Sequence, residues 1–314
     1  VRITLPARRS VQGLLDGQLI VTTDQDWTDG AGTAFEAGDL IAFDLEALKA
    51  DPAASAGELI LRPGERESVE DVTLTRNRLV VALFENVRGA AYAYHRADGG
   101  WVRERLDLPE NASVGLGSAS SEDDRLFVTV EGYLTPDTLW LADAASGELK
   151  TVKSLPAKFD TDGMHVEQHQ ARSADGTMIP YFVVSRDGID LDGSNPTLLY
   201  GYGGFQVSLL PGYSPTVGKL WLERGGVYVV ANTRGGGEFG PAWHQSVLKE
   251  NRQLAFDDYA AVARDLQARG ITSPRRTGIY GRSNGGVLTS VTVTQHPELI
   301  NAAVIESPLI DMLR

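Results

Sequence analysis

Short runs of apolar residues, separated by Gly, Asp and Asn, dominate the chain up to about residue 155. Runs of this length bounded by turn-forming residues predict β-strands. The clearest predicted strands cover residues 18–21, 40–43, 78–83, 90–94, 125–130 and 138–141. Two of them lead into the sequences Ala-Asp-Gly-Gly at 97–100 and Ala-Ala-Ser-Gly at 144–147, which are typical of hairpin turns.

A repeat is visible within this region. Leu79 and Leu126 open similar strands about 47 residues apart, close to the period of about 40–50 residues expected for four-stranded propeller blades. A closed propeller needs about 4–8 blades, so the region predicts only part of one. A β-sandwich with accidental internal similarity is the alternative.

Between residues 155 and 163 the pattern changes, and strands begin to alternate with helices. Predicted strands cover residues 197–200, 227–230, 277–280 and 302–305, and predicted helices cover 256–268 and 287–295. The first helix has apolar residues at helical spacing, ending before Gly270. Such alternation predicts a mostly parallel sheet with helices on both faces. We therefore predict two domains, residues 1–160 and 161–314.

Residues 281–285 read Gly-Arg-Ser-Asn-Gly, the pattern G-x-S-x-G. A predicted strand precedes the serine and a helix follows it, which is the setting of a nucleophile elbow. The flanking Gly281 and Gly285 avoid collisions around a serine held in a strained backbone conformation. The helix amino terminus offers N–H donors to a developing oxyanion. The alternative is that Ser283 only caps the helix.

Three segments closely resemble the prolyl oligopeptidase family: YGYGGF at 200–205, ANTRGGGEFG at 231–240 and GRSNGG at 281–286. Flanking segments at 243–244, 256–259 and 272–276 match it in the same order. The resemblance is strong from about residue 173 to 314 and weaker upstream. It implies the first part of an α/β-hydrolase domain, preceded by part of a β-propeller. The sequence departs from the best-known members at Arg282, where they have glycine, which leaves the fine specificity open.

The resemblance also implies roles for individual residues. Ser283 would be the nucleophile, and the backbone N–H of Asn284 and the hydroxyl of Tyr202 would form the oxyanion hole. Phe205 would line the pocket for the residue before the scissile bond, because a flat apolar ring suits proline. Family members cleave short peptides after proline through an acyl-enzyme, their propeller excludes large folded substrates, and no cofactor or metal is implied. Specificity for basic residues, peptide ligation and a catalytically inactive scaffold are the alternatives.

A serine hydrolase of this kind also needs an acid and a histidine after the serine. The one histidine after Ser283 is His296, which the intervening helix would hold roughly 18 Å away. We interpret Glu306 and Asp311 as structural residues. The sequence thus looks like the middle of a longer protein, and we expect that the remainder of the same chain is required for activity.

Three other patterns suggest competing functions. Gly235, Gly237 and Gly240 match a dinucleotide fingerprint, with Asp257 at the expected distance, but Asp257 falls in a predicted helix rather than after a strand. The sequence His-Val-Glu-Gln-His at 165–169 places its glutamate one position too late for a zinc helix. Asp257 and Asp258 are adjacent, so their side chains diverge by about 100° on a helix, and we expect helix surface or capping roles.

Composition narrows the class of partner. Apolar residues make up 42% of the chain and charged residues 23%, close to the averages of globular proteins. A net charge of −13 argues against a nucleic-acid partner, and no stretch is long and apolar enough to span a membrane. There are no cysteines, which excludes disulfides and thiolate metal sites. We expect short proline-containing peptides as partners and a cytoplasmic location, or a periplasmic one if a signal peptide is removed.

Overall fold

The computed structural model describes residues 5–53, 56–311 and 313. Among these residues no helix combines the length and apolar character needed to cross a membrane. The chain divides into two compact units: the first contains the described part of Val1–Glu131 with Asp137–Leu155 and Phe239–Ala242, and the second contains Gly132–Pro136, Pro156–Glu238 and Trp243–Arg314. A single domain boundary at residue 160 stays a prediction.

The first unit consists almost entirely of strands. They are β1 Arg9–Leu15, β2 Gln18–Thr23, β3 Trp27–Thr28, β4 Ala34–Phe35, β5 Leu40–Asp44, β6 Gly57–Leu61, β7 Glu67–Leu74, β8 Leu79–Glu85, β9 Arg88–Ala97, β10 Gly100–Arg105, β11 Ser113–Ala119, β12 Arg125–Glu131, β13 Thr138–Asp143 and β14 Leu149–Ser154, with one helix, α1 Leu45–Ala50. All six predicted strands of this region are present.

These strands form three four-stranded antiparallel sheets, in the orders β1-β2-β5-β6, β7-β8-β9-β10 and β11-β12-β13-β14. Leu79 and Leu126 each lie in the second strand of their sheet, so the repeat noted in the sequence corresponds to successive blades. Buried side chains from neighbouring sheets share one core, as Val80 does with Val114 and Val128. The predicted propeller blades are confirmed.

Hydrogen bonds to one aspartate connect the second and third blades. Asp124, in the turn before β12, accepts hydrogen bonds from the Thr75 hydroxyl at 2.8 Å and from the backbone and side-chain nitrogens of Asn77 at 2.7 and 2.9 Å. Partial burial acts to raise the pKa of Asp124, but these hydrogen bonds outweigh it and the pKa is lowered.

The second unit is built around a six-stranded sheet. Its strands are β15 Met164–Arg172, β16 Met178–Arg186, β17 Thr197–Gly201, β18 Val227–Ala231, β19 Thr277–Arg282 and β20 Ala302–Glu306; the helices in this part of the chain are α2 Pro215–Leu220, α3 Gly240–Gln245, α4 Gln253–Ala268 and α5 Asn284–Gln295. The order is β15-β16-β18-β17-β19-β20. The last four strands run parallel, as predicted, and β15 and β16 add antiparallel pairs at one edge.

The main core of this unit lies between the sheet and two helices. Tyr259 of α4 and Leu288 of α5 pack against Leu199 and Ile279 of the central strands, and all four are buried. The Tyr259 hydroxyl donates a hydrogen bond to the Leu199 carbonyl at 2.8 Å, which satisfies the polar end of this buried ring. This packing fixes both helices against the strands whose carboxyl ends carry the candidate site.

Candidate active site

Ser283 lies on a sharp turn between β19 and α5. Its backbone angles, φ 57° and ψ −117°, fall in a region that residues with a side chain rarely occupy, at a cost of about 1–3 kcal/mol. The Ser283 N–H donates to the Glu306 carbonyl at 2.9 Å, and its carbonyl accepts the Val287 N–H at 3.2 Å. The turn is therefore held between the end of β20 and the first turn of α5.

The glycines around the serine leave no room for side chains. A Cβ on Gly281 would lie 2.0 Å from the Gly285 carbonyl oxygen, and one on Gly285 would lie 2.5 Å from the Gly201 carbonyl oxygen. A Cβ on Gly286 would lie 2.9 Å from Pro308 Cα. These close approaches agree with the physical reason for the G-x-S-x-G pattern and with a strand–turn–helix elbow.

Tyr202 lies at the same end of the sheet as Ser283. It directly follows β17, which pairs in parallel with β19, so the carboxyl ends of both strands meet at one edge. The side-chain amide of Asn284 donates to the Tyr202 carbonyl at 2.6 Å. A Cβ on Gly204 would lie 2.4 Å from that amide nitrogen. Asn284, the residue after the serine, is therefore hydrogen-bonded to the loop that carries Tyr202.

Arg252, which the sequence patterns do not single out, completes this arrangement. Its guanidinium donates to the Gly203 carbonyl at 2.7 Å and to the Asn284 side-chain oxygen at 3.1 Å. These partners lie 49 and 32 residues away along the chain, so no local pattern could have predicted the contact.

Within the described ranges, Ser283 and Tyr202 have no hydrogen bond through their hydroxyls, which leaves both groups available to a substrate.

Phe205 stands out from the surface of the same loop. Its side chain is 67% exposed and its φ is 54°, and the following Gln206 also has a positive φ of 57°. The Gln206 N–H donates to the Gly235 carbonyl at 3.0 Å, which holds this tight bend against the loop after β18. The ring is presented to solvent rather than used in the core.

Arg282 ends β19, and its exposed side chain lies on the opposite face of that strand from the buried Gly281. Its side chain is 67% exposed, and its Nε lies 3.4 Å from Glu306 Oε1. Glu306 Oε2 also accepts the Tyr280 hydroxyl at 2.7 Å, and this hydrogen bond raises the pKa of Tyr280. Glu306 is thus engaged beside the elbow, in agreement with the structural role expected of it.

Among the described residues, no histidine forms a hydrogen bond with the Ser283 side chain. His296 caps the far end of α5, where its Nδ1 lies 3.2 Å from Arg264 Nη2. His165 and His169 lie on β15, four strands from β19, or roughly 19 Å at the usual strand spacing. His244 Nδ1 lies 2.8 Å from the Gly235 carbonyl oxygen. The described residues thus bring Ser283 and Tyr202 to one end of the sheet, and none of the described histidines is hydrogen-bonded to the serine hydroxyl.

One expectation is wrong. Asp258 is fully buried rather than on the helix surface, and it accepts hydrogen bonds from Arg234 Nε at 2.9 Å and Nη2 at 2.6 Å. Ser173 donates to the same carboxylate at 2.6 Å. Burial acts to lower the pKa of Arg234, but the hydrogen bonds to Asp258 and Asp175 raise it. The residue lies on the apolar side of α4 because its charge is matched there.

The loop after β18 does not have the open form of a dinucleotide site. A Cβ on Gly235 would lie 2.6 Å from the Gly203 carbonyl oxygen, and one on Gly237 would lie 2.5 Å from the Gln206 carbonyl oxygen. The glycines permit close packing of two protein loops, which accounts for them without a nucleotide. On β15, His169 Nε2 lies 3.0 Å from Glu167, and no metal-binding cluster is found in the described part of the chain.

Comparison with known families and proteins agrees with this geometry. The model described as "Prolyl oligopeptidase, N-terminal beta-propeller domain" matches residues 4–155, and that described as "Prolyl oligopeptidase family" matches residues 212–314. The "Uncharacterized peptidase y4nA" of Sinorhizobium fredii is 48% identical over the whole of this chain, which spans 43% of that protein. The "Dual function macrocyclase-peptidase POPB" of Galerina marginata is 31% identical over 80% of this chain and 35% of its own length.

A solved structure described as a "Post-proline cleaving enzyme from Rickettsia typhi" superposes with a TM-score of 0.88 and 37% identity. The match covers 99% of this chain and 45% of that one. The chain therefore spans less than half the length of these relatives. The blades, the parallel sheet and both family models lead to one conclusion: the chain belongs to the prolyl oligopeptidase family.

Proposed function

We propose that the protein is a serine peptidase that cleaves short peptides on the carboxyl side of proline. The observation that carries the proposal is the conformation of Ser283, held in a strained turn by glycines that tolerate no side chain, at the start of α5. Strain of this kind persists where the surrounding structure imposes it, and it is typical of catalytic residues. A simple helix cap would not require it.

In the proposed reaction the Ser283 hydroxyl oxygen attacks the carbonyl carbon of the peptide bond. The serine proton passes to a general base that lies outside the described residues, and the carbonyl oxygen becomes negatively charged. The Asn284 N–H and the Tyr202 hydroxyl donate hydrogen bonds to that oxygen. The C–N bond then breaks, the amine leaves with the proton, and water hydrolyses the acyl-serine.

Phe205 supports the preference for proline. Its exposed ring follows Tyr202 by three residues, so it lies close to the carbonyl-binding groups in sequence, and a flat apolar surface complements a pyrrolidine ring. The relative from Rickettsia typhi, described as post-proline cleaving, supports the same specificity. Short peptides as substrates, the cytoplasmic location and the need for the remainder of the chain belong to this proposal.

The specificity is tested with two peptide substrates that differ in one residue. We expect the full-length protein to cleave a fluorogenic peptide after proline at least about 10-fold more efficiently, in kcat/KM, than the same peptide with alanine. Phe205→Ala should raise KM for the proline peptide and reduce the preference to within about 3-fold. Phe127→Ala, which removes an exposed ring of the first unit, serves as the control and should leave the preference unchanged. Equal cleavage of both peptides by the unmodified protein would contradict proline specificity.

Peptide ligation is the second candidate, favoured by the similarity to the macrocyclase-peptidase of Galerina marginata. The acyl-serine is common to both reactions, and the products differ only in whether water or an amine attacks it. Mass spectrometry of the products from a peptide of about 25 residues with an internal proline distinguishes them. Both reactions release the carboxyl-terminal fragment. Hydrolysis yields the amino-terminal fragment in linear form, whereas ligation yields it as a ring that is lighter than that linear form by one water.

A further inference from the structure

The guanidinium of Arg252 joins the two segments that carry the proposed oxyanion donors. One nitrogen donates to the Gly203 carbonyl, next to Tyr202, and the other donates to the side chain of Asn284, whose backbone N–H starts α5. The Asn284 amide in turn donates to the Tyr202 carbonyl. A planar guanidinium with two fixed donor directions suits such a bridge, because it sets the spacing of both partners at once.

Arg252 has no carboxylate partner among the described residues. Its side chain is partly buried, and its hydrogen bonds there go to the Gly203 carbonyl and the Asn284 side-chain oxygen. The guanidinium carbon lies over the ring of Phe256, 5.3 Å from its centroid. Burial lowers the pKa of Arg252, and in the described part of the chain no opposing charge offsets that effect.

The position of Arg252 is also unfavourable for the helix it precedes. It is the N-cap of α4 and makes no side-chain cap hydrogen bond. A cation at this end of a helix opposes the helix dipole, and arginine is a poor capping residue. Helix stability therefore does not account for an arginine here, whereas contacts with the loop and the elbow do.

We propose that Arg252 is a positioning residue of the oxyanion hole, which orients Asn284 and the Tyr202 loop and whose uncompensated charge favours the anionic tetrahedral intermediate. This inference rests on the proposed serine peptidase function. When Ser283 attacks and its proton moves to the base, a full negative charge appears on the former carbonyl oxygen. The ground-state substrate carries no such charge, so the effect of Arg252 is expected in kcat rather than in KM.

The test compares two variants of the full-length protein that differ in charge. Arg252→Lys and Arg252→Gln each keep a hydrogen-bond donor, but only the lysine keeps the charge. Each is assayed with the proline peptide and with two inhibitors, a peptide aldehyde, which forms an anionic adduct with an activated serine, and the corresponding alcohol, which cannot. Arg264→Gln is the control, since Arg264 lies on α4, is 49% exposed and contacts His296 and Glu298 away from the site.

We expect Arg252→Gln to lower kcat by about 10- to 100-fold, somewhat less than the loss of a direct oxyanion donor, with KM within about 2-fold. The aldehyde affinity should fall in proportion while the alcohol affinity is unchanged. Arg252→Lys should recover at least about 3-fold in kcat, and Arg264→Gln should match the unmodified protein.

Three results would overturn the inference. They are equal losses of affinity for the aldehyde and the alcohol, equal kcat in the lysine and glutamine variants, and no loss of kcat in either variant. If Arg252→Gln does not fold, the aldehyde-to-alcohol affinity ratio of Arg252→Lys decides. Lysine keeps the charge but lacks the planar pair of donors that holds both Gly203 and Asn284, so the ratio should fall below that of the unmodified protein, and an unchanged ratio excludes the positioning role. If the unmodified protein itself shows no preference for the aldehyde, the proposed peptidase function has failed instead, and the two failures are distinguishable.

Discussion

Asn284 has two separate roles in the structure. Its backbone N–H is at the first turn of α5 beside Ser283, while its side-chain amide donates to the Tyr202 carbonyl and accepts from Arg252. A substitution of Asn284 would disturb both the loop and the elbow. Tyr202 is the better probe, because its ring and backbone can be kept while its hydroxyl is removed.

Tyr202→Phe is expected to lower kcat by about 100- to 1,000-fold with little change in KM, because in the proposed mechanism the hydroxyl binds the oxyanion and not the ground state. The unfolding temperature should stay the same, since this hydroxyl has no hydrogen bond among the described residues. Steady-state kinetics and thermal unfolding of the full-length protein check both statements.

Tyr213→Phe is the matched control for that variant. The Tyr213 hydroxyl accepts the Lys158 N–H at 2.7 Å, in another part of the unit. Its removal should affect stability more than kcat. Activity of Tyr202→Phe within about 3-fold of the unmodified protein would contradict the assignment of this hydroxyl.

The candidate residues that the sequence predicted are those within local patterns. Ser283 and its glycines follow one another, and Tyr202 lies in a glycine-rich segment directly after a predicted strand. Arg252 and Asp258 gained their contacts only through tertiary folding. A buried Asp258 was not expected because its partner, Arg234, lies 24 residues earlier in a different loop, and sequence spacing alone did not connect them.

At the scale of elements, α5 shows why helix boundaries were less predictable than helix positions. The pattern predicts residues 287–295, whereas the helix is Asn284–Gln295. Gly285 and Gly286 disfavour a helix on intrinsic grounds, by about 1 kcal/mol each relative to alanine. Packing against Gly201 and Pro308 requires glycine there and overrides that preference.

The strands of the blades were predicted more successfully than the helix boundaries, because clear turn residues separate one strand from the next. The hairpin at residues 97–100 has the register expected from its Asp-Gly turn, with Ala97 opposite Gly100.

The antiparallel edge of the six-stranded sheet was not foreseen. The residues around His165 were considered as a possible zinc helix, and nothing in their pattern indicates that β15 pairs antiparallel with β16.

At the scale of the whole molecule, each unit has a hydrophobic core built from its own residues, and the two units are expected to respond separately to substitution. Asp258→Ala leaves Arg234 buried without its main partner, at a cost of about 3–5 kcal/mol. Hydrogen exchange followed by mass spectrometry should then show faster exchange in β18, β19 and α4. Exchange in β7 to β14 should stay unchanged.

Asp124→Ala is the converse variant. It removes the acceptor that joins the second and third blades through Thr75 and Asn77, so it should raise exchange in β7, β8 and β12 and leave α4 unchanged. Equal changes throughout both units in either variant would contradict separate cores, since they would mean that the chain opens as one cooperative body.

The central claim is that Ser283 is an activated nucleophile. It is tested most directly by the intact mass of the full-length protein after treatment with a fluorophosphonate, followed by peptide mapping, with Ser283→Ala as the control. The account predicts one adduct per chain, located on Ser283 and absent from the alanine variant. No adduct, or an adduct that persists in Ser283→Ala, would contradict it.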